Sequence, residues 1–280
     1  HHDASPYGNY RYYIGEYDRN LYIDFKTSSA ATTAVSRFIS DVLSNEKVEL
    51  GDEIITGLHI SNGTKGLVHS TTKTQKLAEG VTYYEQLYYN KSGAPVRVYS
   101  VVIKKGAASI ETTMPQDSTT TIGKVSNMKN QLSAAVANGK NAIVAINADF
   151  FDMGGTNVMR GLCVKDGVFI NLGEAGRPWV GFTKDGDTVM GLPADYETYK
   201  DSLVQAVGGS HIIIKNDNPY DLSIGSDFAD TIHPRTALGV TPEGDVVLMI
   251  VDGRQSELSN GATLADLAFL LGRFGCSNAI

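Results

Sequence analysis

Residues 235–254 read RTALGVTPEGDVVLMIVDGR. Two apolar runs, TALGV and VVLMIV, flank Pro242-Glu243-Gly244. Proline presets the backbone for a turn and glycine accepts the conformations that close it, so the stretch predicts a β-hairpin. Its second strand ends on Asp252-Gly253-Arg254, which puts charged side chains at a sheet end.

Working outward, the same signal recurs. VTYYEQLYY (81–89) and VRVYSVVIKK (96–105) are rich in β-forming residues, and NKSGAP joins them as a hairpin-like loop. GLCVKDGVFI and WVGFTKDGDTVM each carry an Asp-Gly turn between apolar halves, and residues 211–215 read as a strand. Helical patterns intervene. KVSNMKNQLSAAVANGK (124–140) has Val125, Met128, Leu132, Ala135 and Val136 on one side and ends at Gly139. ATLADLAFLLGRFG (262–275) has Leu264, Leu267, Ala268 and Leu271 on one face, with Thr263 as N-cap and Asp266 completing a capping box. The first of these helices runs into NAIVAINADFF (141–151), which predicts a short buried strand. SNAI, at 277–280, predicts the start of another.

These patterns predict an α/β (mixed α+β) fold, a mixed β-sheet core with flanking helices, over residues 81–280. Residues 1–80 read as an N-terminal extension. It holds one amphipathic helix over Ala30–Leu43, with Val35, Phe38, Ile39, Val42 and Leu43 on its apolar face. Asn62-Gly63 is a turn signal.

The chain has 280 residues and a net charge of −7, an acidic balance that argues against a nucleic-acid partner. No apolar run approaches the roughly 20 residues of a transmembrane segment. Cys163 and Cys276 are far apart and form no metal motif; they read as two buried free thiols or, in an exported protein, as a pair. HExxH, GxSxG, the P-loop and GxGxxG are all missing. His211 reads as a core or edge histidine at the head of an apolar strand.

Polar groups gather instead where strands end, the usual place for ligands in open α/β sheets. Asn147 and Asp149 end one strand, Asp252 and Arg254 end another, and His233 and Arg235 precede a third. Each has a plainer alternative. Asp252-Gly253 is a common turn dipeptide, Arg235 reads equally as a surface charge, and Asp266 as a cap alone. Asp152, near Gly154-Gly155, reads as loop-shaping. Arg160 and Arg177 read as solvated loop charges, and Phe150 and Phe151 as core, unless one faces a sugar ring.

Taken in order, AINADFFD, HPRTALGV, VDGRQSELSNGATLADLAFLLGRFG and NAI resemble the phosphodiester glycosidase family. GVTYYEQLYY and PVRVYSVVI resemble the opening strands of its domain. The resemblance implies a hydrolase that cleaves a sugar, N-acetylglucosamine-like, from a phosphodiester. Its partner would be a sugar phosphodiester or glycan, and an exported location follows (periplasmic, cell-surface or extracellular). In the family the strand beginning NAI runs into a Gly-rich Asn-Leu-Asp-Gly-Gly-Gly-Ser-Ser loop. That loop is not in the sequence as given, so the resemblance implies a catalytic domain truncated at its C-terminal side.

The chemistry expected of such a site needs few groups. A phosphate monoester leaves as an anion and needs little protonation. Arg235 and Arg254 are the expected phosphate clamp, because guanidinium matches phosphate oxygens. Asp149 or Asp252 is the expected catalytic carboxylate, and Asn147 is expected to bond a sugar hydroxyl or orient that carboxylate. Phe150, Phe151, Arg160, His233, Ser259, Gly261 and Thr263 complete the expected substrate-binding set, the last two through backbone N–H groups at a helix start. No cofactor is expected. Two other readings compete: a non-catalytic carbohydrate-binding module of the same fold, and a phosphodiesterase using Asp149, Asp152 and Asp252 to hold a divalent cation.

Overall fold

A computed structural model describes residues 10–14, 21–25, 58–62, 67–90, 92–219 and 227–280. The expected helix over 30–43 and Gly63 of the expected turn lie outside the described residues. In chain order the elements are β1 (Tyr10–Ile14), β2 (Leu21–Phe25), β3 (Leu58–Asn62), β4 (Val68–Ala78), β5 (Val81–Tyr89), β6 (Pro95–Ile103) and α1 (Met128–Ala137). Then come β7 (Cys163–Lys165), β8 (Val168–Asn171), β9 (Trp179–Thr183), β10 (Thr188–Gly191), the short α2 (Tyr196–Tyr199) and β11 (Leu203–Gly208). The chain continues through β12 (Ile214–Lys215), β13 (Asn218–Pro219), the short α3 (Asp227–Asp230), β14 (Arg235–Val240), β15 (Val246–Val251), α4 (Leu264–Gly272) and β16 (Asn278–Ala279).

The fold is mostly β. Eight strands form one sheet in the order β13-β12-β16-β14-β15-β6-β5-β4, and five form a second, β10-β9-β11-β7-β8. Every strand pair in these two sheets is antiparallel. The expected mixed sheet is corrected here, and the connections explain why. Short hairpins such as Asp166-Gly167 and Thr241–Asp245 can join only antiparallel neighbours. The one parallel pair among the described residues, β2 with β3, belongs to a separate three-stranded sheet. The large sheet takes in β4, so it begins ahead of Val81.

The period of two sorts the core. Val96, Val98 and Val102 of β6, with Val247, Met249 and Val251 of β15, face α4 and meet Leu264, Leu267, Ala268, Leu270 and Leu271. The helix begins as expected: Thr263 Oγ1 accepts from the Asp266 N–H (3.1 Å), and Asp266 Oδ2 accepts from the Thr263 N–H (2.9 Å). Val101, Ile103, Val246 and Leu248 point the other way, toward Val180 and Phe182 of β9 and Val207 of β11. The layers are therefore helix, large sheet, small sheet.

Two elements differ from expectation. Residues 141–150 form no strand. Val144 and Ile146 pack onto the inner face of the large sheet rather than at an edge, so their backbone has no ladder to join. The strand expected over 211–215 shrinks to Ile214–Lys215. Cys163 and Cys276 are buried free thiols.

His69 on β4 is buried against the edge of the Tyr88 ring, and its Nε2 lies 2.8 Å from Thr72 Oγ1. Burial, helped by the Arg273 cation, pushes it down to about 3. Between that value and the ordinary 6.5 the unfolded chain binds one proton more than the folded one. Stability is therefore expected to fall on acidification through 6.5, by about 1.4 kcal/mol per pH unit. Urea unfolding at pH 7 and pH 5 should show a loss of roughly 2 kcal/mol from this group, and His69→Phe should remove that part of the slope.

Candidate active site

Between the inner faces of the two large sheets lies a cavity of about 1640 Å³. Leu238, Leu248 and Ile250 form one wall, Val180, Phe182 and Val207 the other, and residues 108–150 border it along much of its length. The expected residues Asn147, Asp149, Phe150, Phe151, Arg235, Asp252 and Arg254 all line it.

Asp149 is the best-built of these. It holds a left-handed backbone (φ 58°), which aspartate adopts more readily than most residues. Its Oδ1 accepts from the Phe150 N–H and its Oδ2 from the Gly161 N–H, both at 2.7 Å. The carboxylate sits against Gly161 and Gly208. A Cβ on either glycine would lie 3.0 Å from Oδ2, and each would also strike the other glycine's Cα. Glycine at both positions therefore makes the cradle. Arg177 Nη2 stands 3.6 Å from Oδ1, an ion pair rather than a hydrogen bond. Burial pushes the Asp149 carboxyl above the ordinary value, while the two N–H donors and Arg177 pull it back.

Asp252 ends β15 in a similar way. Its Oδ1 accepts from the Gly253 N–H (2.8 Å), and Gln255 Nε2 stands 3.4 Å from both oxygens. Arg254 also has a left-handed backbone (φ 62°), a strained state for a long side chain and one that clusters at functional sites. Its Nη2 lies 3.4 Å from His233 Nδ1. Asn147 Oδ1 accepts from Thr236 Oγ1 (2.8 Å), which ties the 141–149 segment to β14.

Arg235 is 5% exposed and largely committed to the scaffold. Its Nε donates to the Ala262 carbonyl, its Nη2 to those of Phe228 and Thr231, and its guanidinium lies 4.4 Å from the Phe228 ring centroid. Nη1 alone has no hydrogen-bond partner among the described residues. Phe228 also stacks on His211 (5.7 Å, 11°) and meets His233 and Phe150. Burial and the Arg235 and Arg177 charges hold His211 below its ordinary value, hence neutral at pH 7. The Arg177, Arg235 and Arg254 guanidiniums outnumber the two carboxylates, Asp149 and Asp252, that share this corner.

Other expected residues stand elsewhere. Arg160 is exposed, pairs with Glu174 at 2.7 Å and does not border the cavity. Ser259 is fully buried: its hydroxyl donates to the Asp252 carbonyl (2.6 Å) and accepts from the Arg97 N–H (2.9 Å), fixing the end of β15. Gly261 packs on the His233 carbonyl, and Thr263 is spent on the helix cap; neither borders the cavity, and nor does His233. Asp152 shapes its loop, with its oxygens accepting from Gly154 and Thr156. Among the described residues no three His, Cys, Asp or Glu side chains come together as a metal site.

Gly161, Gly208 and Phe228 are not among the expected residues; Arg177, expected as a solvated loop charge, is mostly buried, and His211, expected in the core or at an edge, borders the cavity. The glycines carried a signal, since glycine at a strand or its end often marks a close approach.

Residues 140–280, half of the chain, match the phosphodiester glycosidase family, and the chain belongs to it. It is 31% identical over 156 residues to the SPbeta prophage-derived uncharacterized protein YomE of Bacillus subtilis (strain 168), covering 52% of this chain and 23% of that one. The chain thus spans about a quarter of that relative's length. Among solved structures it is similar to the zebrafish N-acetylglucosamine-1-phosphodiester alpha-N-acetylglucosaminidase catalytic domain auto-inhibited by its pro-peptide (TM-score 0.57, 21% identity, 75% of each chain). It is also similar to a hypothetical protein from Synechocystis (TM-score 0.53, 14% identity, 79% of this chain and 62% of that one). At these identities the two structures show a shared fold.

Proposed function

We propose that the protein hydrolyses a sugar phosphodiester at the bond between the anomeric carbon and the phosphate oxygen. The observation that carries this is the Asp149 carboxylate, held by two backbone N–H groups in a cavity that Asp252 and Arg254 also line. Family membership and the zebrafish enzyme's description support N-acetylglucosamine as the sugar.

In this reading water adds its oxygen to the anomeric carbon, and the carbon–oxygen bond to phosphate breaks with its electrons staying on phosphate. The proton from water passes to a carboxylate, Asp149 in the first instance, with Asp252 beside the developing oxocarbenium charge. Arg254 neutralises the departing phosphate, with the buried Arg235 charge behind it adding to the field, and Phe150 offers a ring face to the sugar. No strong acid is required, because the leaving group departs as an anion. No cofactor is required either, so activity should survive a chelator. Export remains part of the proposal, on the family resemblance; no described helix is long and apolar enough to cross a membrane.

Arg254→Ala tests the clamp. It should lower kcat/KM on a sugar phosphodiester by about a hundredfold. On a neutral aryl glycoside with a good leaving group the loss should be slight. Equal losses on both substrates would remove Arg254 from phosphate recognition.

A further inference from the structure

Arg177 has no place in the mechanism above, yet its setting is unusual. Its side chain is 15% exposed, and Nε and Nη2 are buried with no hydrogen-bond partner among the described residues. A buried cation without hydrogen bonds is costly, so a compensating charge is needed. The structure supplies one, the Asp149 carboxylate at 3.6 Å. The guanidinium also lies 5.2 Å from the Phe150 ring centroid, which fixes its position. Arg177 is not among the residues that line the cavity; Asp149 and Phe150, which do, stand beside it.

We propose that Arg177 is a positioning residue that acts through Asp149, keeping its carboxylate ionised and aimed into the cavity. The inference rests on the glycosidase reading for its role in turnover but not for its physical content. Asp149 needs such a partner because burial opposes its charge. The other ionisable groups that sense it are Arg160, exposed and paired with Glu174, and Cys163, a thiol that burial and Asp149 itself push up to about 12. Neither replaces Arg177: the first is screened by its own partner, and the second is neutral at pH 7.

The test titrates Asp149 directly, by carboxyl carbon NMR on protein with labelled aspartate, the signal being assigned by its loss in Asp149→Asn. Wild type, Arg177→Lys, Arg177→Gln and Arg177→Met are compared; Met retains packing on Phe150 if Gln does not fold. Loss of the cation should raise the Asp149 midpoint by about one pH unit or more, and Lys should recover part of it. The acidic limb of kcat/KM on a nitrophenyl phosphodiester of N-acetylglucosamine should move by the same amount. An unmoved midpoint in both neutral variants overturns the proposal, whether or not the ester is cleaved. A moved midpoint in a protein that never cleaves the ester upholds the positioning role and removes the glycosidase reading instead.

Discussion

Asp149→Asn is expected to lower kcat on a sugar phosphodiester by about a hundred- to ten-thousandfold, the usual worth of a positioned proton acceptor. The substitution preserves shape, so the cavity stays in place. Its cost in stability is also predictable. Both carboxylate oxygens accept backbone N–H groups, from Phe150 and Gly161. An amide offers one acceptor oxygen and one donor NH₂, so one of those N–H groups must face another donor. An unsatisfied buried group costs about 1–3 kcal/mol, and a lower Tm should accompany the lost turnover. Unchanged kcat in this variant would move the catalytic role away from Asp149, with Asp252→Asn the next to measure.

Gly208→Ala is expected to be nearly as damaging, by a different route. Neither Gly208 nor Gly161 has a left-handed backbone, so alanine is not excluded by conformation. Space excludes it. A Cβ on Gly208 would lie 2.4 Å from the Gly161 Cα and 3.0 Å from Asp149 Oδ2. The first of these neighbours is backbone and cannot rotate away. The strands must part or the Asp149 carboxylate must move. Overpacking of this kind costs about 1–3 kcal/mol, and a displacement of about 1 Å at a reacting group costs around a hundredfold in rate. Thermal unfolding and kcat/KM should both fall. Normal values for both would mean that the cradle is looser than these distances imply.

Much of the fold is legible in the sequence because it is local. Pro242-Glu243-Gly244 and the apolar runs beside it specify the β14–β15 hairpin, and Thr263 with Asp266 specifies the start of α4. The stretch 141–151 is also apolar and β-prone, but pattern does not say whether such a run joins a ladder or lies across a sheet face. Here Val144 and Ile146 take the face, and Asp149 reaches the cavity from irregular backbone held by its own left-handed turn. Helical periodicity likewise marked Val125 and Val136 as an apolar side, and both are exposed.

The site divides along the same line. Asp149, Asp252 and Arg254 stand in recognisable motifs at sequence-local ends, and they do line one cavity. Arg160 and Arg177 looked alike as loop arginines. Only the fold shows that one pairs with Glu174 at the surface and the other lies buried beside Asp149. Gly161, Arg177 and Gly208 meet Asp149 from separate parts of the chain, and no spacing rule connects them. His211 is on the cavity lining and stacks on Phe228, which lies elsewhere in the sequence.

The most direct test of the central claim is which bond water attacks. A phosphodiester of N-acetylglucosamine 1-phosphate, incubated with the protein in ¹⁸O-labelled water, yields a sugar and a phosphate monoester that mass spectrometry reads separately. The account predicts the label on the anomeric hydroxyl of the sugar and none in the phosphate. Label in the phosphate would show attack at phosphorus, the outcome of a phosphodiesterase, and would contradict it.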